Sequence, residues 1–168
     1  MKKLTFLSAI LIAVFAFFTA CEAIDAVSYN DRLVDEQNKA NALTDELDAE
    51  FMITFFAEES ASFGDYNSDA YKQFLDTYKK KFDEILTAIN EIPDRKDSDM
   101  KQKLYVMVEY MKTSLDSYYT PVLKELEKEE MNIEQYDNEF NEKMDVLYTE
   151  FSNAQMDLAT KNGLELVE

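Results

Sequence analysis

Residues 71–92 read YKQFLDTYKKKFDEILTAINEI. Tyr71, Phe74, Leu75, Tyr78, Phe82, Ile85, Leu86, Ile89 and Ile92 recur at steps of three and four over about six helical turns. That spacing puts the apolar side chains on one side of an α-helix; a strand would need alternation at every second residue. Lysines and acids fill the other side. Such a helix gains most of its stability by burying its stripe against neighbours. Ser68 or Asp69 can cap its start by accepting a free backbone N–H. Pro93 ends it, because the residue before a proline is pushed out of the helical region.

Downstream, Asp94-Arg95-Lys96-Asp97-Ser98-Asp99 is a polar turn, with Asp97 or Ser98 placed to cap the next helix. A third helix carries Met100, Leu104, Met107, Val108, Met111, Leu115, Tyr118, Val122 and Leu126. Pro121 interrupts it and predicts a kink or break near Tyr119, since proline lacks an N–H and collides with the preceding turn. Helix should resume over Leu123 to Glu130. Asn132-Ile133-Glu134-Gln135 approximates a capping box. It opens a fourth stripe: Ile133, Tyr136, Phe140, Met144, Leu147, Tyr148, Phe151, Ala154 and Leu158. Asn162-Gly163 is a helix stop, and Leu164 to Glu168 form a short tail.

Upstream, Ile24 to about Ser60 contains almost no helix breakers. Ala26, Tyr29, Leu33, Ala40, Leu43, Leu47 and Phe51 form its stripe, interrupted by Glu36. The helix is expected to end near Ser60-Ala61-Ser62-Phe63-Gly64. Short turns between consecutive helices favour antiparallel neighbours. The predicted fold is all-α: an antiparallel, up-down-up-down four-helix bundle of long helices. A 30-residue helix is about 45 Å long, so the bundle is a rod.

The N-terminus speaks of location. Met1-Lys2-Lys3 is a short positive segment, and Ala9 to Phe18 are wholly apolar. This matches the greasy region of a signal peptide and is too short to span about 30 Å of hydrocarbon comfortably. Phe18-Thr19-Ala20-Cys21 resembles a bacterial lipobox, with Phe18 where Leu is commoner, and Cys21 is the chain's single cysteine. A lone thiol forms no internal disulfide, but as an acylation site it would anchor the chain. The alternative is an ordinary secreted protein with a stray thiol. The expected organisation is a lipoprotein signal peptide over 1–20 and a four-helix bundle domain over 21–168. The expected location is the bacterial cell envelope, at the outer membrane or cell surface, because Glu22 is not the Asp that retains some lipoproteins at the inner membrane.

Composition narrows the chemistry. The chain has 17 Lys+Arg and 35 Asp+Glu. Without Lys2 and Lys3 the mature part stands at 15 − 35 = −20. Phosphates would be repelled, so DNA, RNA and anionic lipid headgroups are not expected partners. There is no histidine, which removes imidazole catalysis and His-based metal sites. No carboxylate pair stands apart in an apolar setting, so no catalytic residue, metal ligand or cofactor is assigned, and the chain is not expected to be an enzyme. The expected membrane contact is the lipid at Cys21; a protein partner or self-association stays open.

Three stretches raise a functional question. Asp65-Tyr66-Asn67-Ser68-Asp69-Ala70 and Asp76 partly match a calcium-binding loop, but Ala70 and Asp76 replace the Gly and Glu it wants. A polar loop with a helix cap is the preferred reading. Phe51-Met52-Ile53-Thr54-Phe55-Phe56 is apolar all round. Burial under the loop through Phe63 and Tyr66 is expected, with an exposed partner patch as the alternative. Asn30, Val34, Gln37, Asn41 and Thr44 form a neutral polar row beside the first stripe. A solvated face is the simple reading; a register-fixing layer or a ligand site are the others. Tyr29, Asn30, Gln37 and Asn41 are the residues expected to hold a small ligand, if one binds between helices.

Behind the lipobox, Tyr29-Asn30-Asp31-Arg32-Leu33-Val34-Asp35-Glu36-Gln37 resembles the opening of the first mature helix in a group of uncharacterised helical bacterial surface lipoproteins. The resemblance covers that helix and the general four-helix layout. It implies an envelope location and an all-α fold, and brings no activity with it.

Overall fold

The computed structural model describes residues 24–56, 68–126 and 133–164. Within them the helices are α1 (Ala26–Phe51), α2 (Asp69–Glu91), α3 (Met100–Ser114), α4 (Thr120–Leu126) and α5 (Ile133–Asn162). Wider π-helical turns cover Met52–Phe56, after α1, and Leu115–Tyr119, between α3 and α4. No strand occurs among the described residues, and none of their helices is long and apolar enough to cross a membrane.

Local chemistry sets the helix ends. Asp25 caps α1, its carboxylate accepting from the Ser28 N–H at 2.9 Å. Ser68 caps α2, accepting from the Tyr71 N–H at 3.1 Å. At α3 the boundary residue is Asp99, which makes no side-chain cap; Ser98 Oγ instead accepts from the Met100 N–H at 3.2 Å. Asp97 is drawn away to Arg95. At the end of α5, Gly163 takes a left-handed φ of 63°. The Leu164 N–H reaches back to the Ala159 carbonyl at 2.9 Å, and the Gly163 N–H to that of Thr160 at 3.4 Å. This is the Schellman closure that the Asn-Gly pair predicts, with half-buried Leu164 packed onto the core.

The helices form a four-cornered bundle. α1 packs on α2, α2 on α3, α3 on α5 and α5 on α1, with α1 and α3 also in contact across the middle. Cross-helix pairs give the directions. Tyr78 meets Glu46 and Glu50, Lys112 meets Asp83, Lys103 meets Glu150, and Tyr148 meets Asn41. Each neighbouring pair is antiparallel, as the short turns imply. The stripes point inward: Tyr29, Leu33, Leu47, Tyr78, Phe82, Ile89, Met100, Leu104 and Phe151 are all essentially inaccessible to solvent. Even the break in the first stripe is readable. Glu36 sits buried in the row and holds Lys39 at 2.7 Å.

The structure departs from the periodic reading at Tyr118. The π turn over Leu115–Tyr119 adds one residue to the helical ladder, so the buried position passes from Tyr118 to Tyr119. Tyr118 is left half-buried on the side of α5. The physical cause is Pro121. An α-turn would drive its ring into the carbonyl four residues back, and a widened turn relieves that collision without breaking the rod. Part of the expected end layer also differs. Phe51 is buried against Phe74 and Tyr119, at ring distances of 6.1 and 5.1 Å. Met52 and Ile53 are 53% and 71% exposed. A corner helix is covered on one side only, and these two residues follow Phe51 around to the open side. The Phe63 and Tyr66 loop expected to cover them lies outside the described residues. So do Asn132 of the capping box and residues 127–130 of the resumed helix.

Candidate functional site

The four residues singled out as a ligand set do not converge. Tyr29 belongs to the core row, and its hydroxyl accepts the Lys101 N–H at 3.3 Å. Burial raises its pKa. Asn30 turns toward α5, where its carbonyl oxygen accepts from Gln155 Nε2 at 2.9 Å. Asn41, about three turns further along α1, accepts the Tyr148 hydroxyl at 2.5 Å. Gln37 lies between them on the same helix, half-buried. Thr44 returns its hydroxyl to the Ala40 carbonyl at 3.0 Å. The neutral row is thus the α1–α5 seam. Its amides meet a partner helix at two heights and so fix the register, as buried polar groups do in coiled coils.

A separate cleft of about 280 Å³ opens at one end of the bundle, lined by Tyr29, Asn90, Asp94, Arg95, Lys101 and Tyr105 among others. Its cations are already engaged. Lys101 Nζ donates to the carbonyls of Asn90 (3.1 Å) and Ile92 (2.6 Å) and to Asp94 (2.8 Å), closing the C-terminal end of α2. Arg95 lies over the Tyr29 ring and ties three segments together. It makes a two-pronged pair with Asp97 at 3.0 and 2.7 Å, and it donates to the Ile24 carbonyl at 2.6 Å and to Asn162 at 3.4 Å. Lys161 and Asn162 in turn donate to the carbonyl and carboxylate of Asp97. The hydrogen bond from Arg95 pulls the Asp97 pKa down to about 2. This knot of Arg95, Asp97 and Asn162 joins the entry of α1, the α2–α3 turn and the exit of α5. The sequence pattern marks 94–99 as a turn and does not announce the knot. An arginine inside that turn, one of only two in the chain, is the available signal.

The opposite end holds tyrosine–carboxylate pairs. The Tyr119 hydroxyl donates to Asp48, and that of Tyr118 to Asp137 at 2.6 Å. Tyr78 donates to Glu50 at 2.5 Å, and Tyr71 shares a 2.9 Å bond with Thr120. Burial and Thr120 set Tyr71 at about 12, burial being the larger and upward influence. Tyr78, Tyr118 and Tyr119 are raised beyond the normal tyrosine range, first by burial and then by their carboxylates. Their protons stay on oxygen at any physiological pH, so the pairs act as fixed hydrogen bonds.

No group of acids, cysteines or histidines among the described residues is arranged to hold a metal ion. The segment from Asp69 through Asp76 is helix, which leaves the later positions of a calcium loop no loop to occupy. Cys21 and Asp65 lie outside the described residues. No buried side-chain polar atom among the described residues lacks a partner. No protein-family model, curated protein or solved structure matches the chain.

Proposed function

We propose that this chain is a lipid-anchored protein of the bacterial envelope, held by acylated Cys21, and that its bundle is a non-enzymatic interaction or adaptor module. The lipobox Phe18-Thr19-Ala20-Cys21 supports the anchor. One observation favours an adaptor over a ligand carrier: the amides Asn30 and Asn41 are spent on helix–helix hydrogen bonds. The nearby cleft falls just short of the 300 Å³ or so usual for a small-molecule site, and its Arg95 and Lys101 are turned onto protein acceptors. A packed rod with satisfied polar groups is suited to presenting a surface at a set height above a membrane. The resemblance at Tyr29–Gln37 to surface lipoproteins agrees with this reading.

The anchor is tested by Cys21→Ser. Wild-type protein should partition into the detergent phase and carry an acyl mass at its N-terminus; the variant should move to the aqueous phase. If the variant stayed with the detergent as wild type does, acylation at Cys21 would be rejected.

A further inference from the structure

The chain as a whole repels anionic headgroups, yet its charge is unevenly placed around the bundle. The α1 corner, residues 24–56, stands at 2 − 8 = −6, and the α5 corner, 133–164, at 2 − 7 = −5. The α2 corner, 68–89, is balanced at 4 − 4 = 0, and so is the corner formed by α3 and α4, 103–126, at 3 − 3 = 0. Because α1 packs on α2, α2 on α3, α3 on α5 and α5 on α1, the four flanks differ: α2–α3 carries 0, α3–α5 −5, α1–α2 −6 and α5–α1 −11. The anchored end is acidic too, since residues 22–29, 90–102 and 158–168 give 4 − 8 = −4. On the balanced flank, charges are paired across the seam: Lys79 with Asp116 and Lys112 with Asp83, both at 2.8 Å. Lys80 and Thr87, three residues before Asp83 and four after it, share its side of α2 and are exposed. Thr113, three residues before Asp116, is exposed on the same side of α3.

We propose that the anchored bundle lies with its α2–α3 flank against the phospholipid headgroups and its α5–α1 flank turned away from them. The inference rests on the acylation proposed above. The tether keeps the bundle within the field of the membrane: Cys21 is three residues from Ile24, a span of at most about 11 Å when fully extended. The chain also leaves the bundle beside this flank, since the Ile24 carbonyl is held at 2.6 Å by Arg95 of the α2–α3 turn. Screening then makes the choice. With α2 and α3 against the headgroups, α1 and α5 sit a helix layer further out, about 10 Å, which exceeds a screening length of about 8 Å at 0.15 M salt. Any other flank would press five to eleven excess negative charges toward lipid phosphates, and the anchored end would press four. The α2–α3 flank presses none, and exposed Lys80 adds a cation that a phosphate can meet.

The chain has no tryptophan, so single tryptophans report cleanly. The chain from Cys21 onward is coupled through that thiol to a maleimide-headgroup phospholipid in phosphatidylcholine–phosphatidylglycerol vesicles containing headgroup spin-labelled lipid. T113W and T87W report on the α2–α3 flank. N38W and S152W report on the α5–α1 flank, because Asn38 is three residues before Asn41 and Ser152 four after Tyr148, the pair that crosses that seam. All four positions are exposed and uncharged, so the charge balance is kept, and circular dichroism checks that each variant keeps its helices. Thr113, Asn38 and Ser152 lie about 15–20 Å from the anchored end by helical rise, so height does not separate them. T113W and T87W should be quenched several-fold more than N38W and S152W in 0.01 M salt, and the contrast should shrink in 1 M salt. Quenching at T87W alone would mean a bundle standing on its anchored end. Equal quenching at all four positions would mean no preferred side, and a contrast untouched by salt would mean that charge does not set the orientation. Each of these three results overturns the proposal. Because the tether is supplied chemically, the outcome is independent of whether cells acylate Cys21.

Discussion

At the residue scale, the most informative side chains are those whose partners decide between roles. Asn41 is the clearest. Its carbonyl oxygen accepts the Tyr148 hydroxyl, and both groups are half-buried. Asn41→Ala should therefore lower stability by about 1 kcal/mol, the usual net worth of such a bond. Tyr148→Phe should cost about as much, and the double variant little more than either, as expected of a shared bond. Additive losses in denaturant melts would mean that the two do not act together. Asp48 gives a prediction in pH. Burial raises its pKa, Asp45 and Asp137 add to the rise, and the Tyr119 hydroxyl pulls the other way. The folded chain thus keeps this proton to higher pH than the unfolded chain does. Its contribution is present below the unfolded value and lost as pH rises through the folded one. The amide introduced by Asp48→Asn would not titrate and could still accept from Tyr119. The variant should gain on wild type between pH 4 and pH 7 in thermal melts; parallel curves would contradict this.

At the element scale, Gly163 ends α5 in the left-handed region, where a side chain is strained. An added Cβ would meet no heavy atom within 4 Å, so the cost of Gly163→Ala is backbone strain alone, about 1 kcal/mol. Gly163→Asn should cost less, because asparagine tolerates this conformation. If both variants melted like wild type, the closure would not be contributing. The helices and their ends were legible in the sequence because apolar periodicity and cap chemistry are local properties. Ser68, Pro93 and Gly163 each act where the chain places them. The exchange of Tyr118 for Tyr119 was not legible, since a period of 3.6 cannot announce a turn that adds a residue. Pro121 marked the site of the disturbance but not its form. The role of the neutral row was open for a related reason. Asn30 and Asn41 look alike as ligands or as helix locks until Gln155 and Tyr148, more than a hundred residues away, are placed opposite them. The knot around Arg95 is likewise made by Ile24 and Asn162, which only the fold brings to the same end.

At the scale of the whole molecule, excess negative charge works against a compact rod, and a few ordered carboxylates work for it. The opposing contributions have different pH windows. Asp97 is held at about 2 by Arg95, and Asp25 and Glu46 are also lowered, by Ser28 and Lys81 respectively. For such groups the stabilisation is full above the unfolded value, near 4, and is lost as pH falls through the folded one. Mutual repulsion among the remaining acids is greatest at neutral pH and relaxes as they begin to protonate. Thermal stability should therefore rise from pH 7 to about pH 5 and fall again toward pH 2. Salt should separate the two causes. Raising ionic strength from 0.01 to 0.15 M shortens the screening length from about 30 to about 8 Å, and this should raise the melting temperature at pH 7 more than at pH 5. Asp97→Asn supplies the second control. It should be less stable than wild type at pH 7 and converge with it as pH approaches 2, because the protonated Asp97 of wild type has by then lost the same ion pair. A constant gap between the two chains down to pH 2 would show that the Arg95 knot is held by something other than the Asp97 charge.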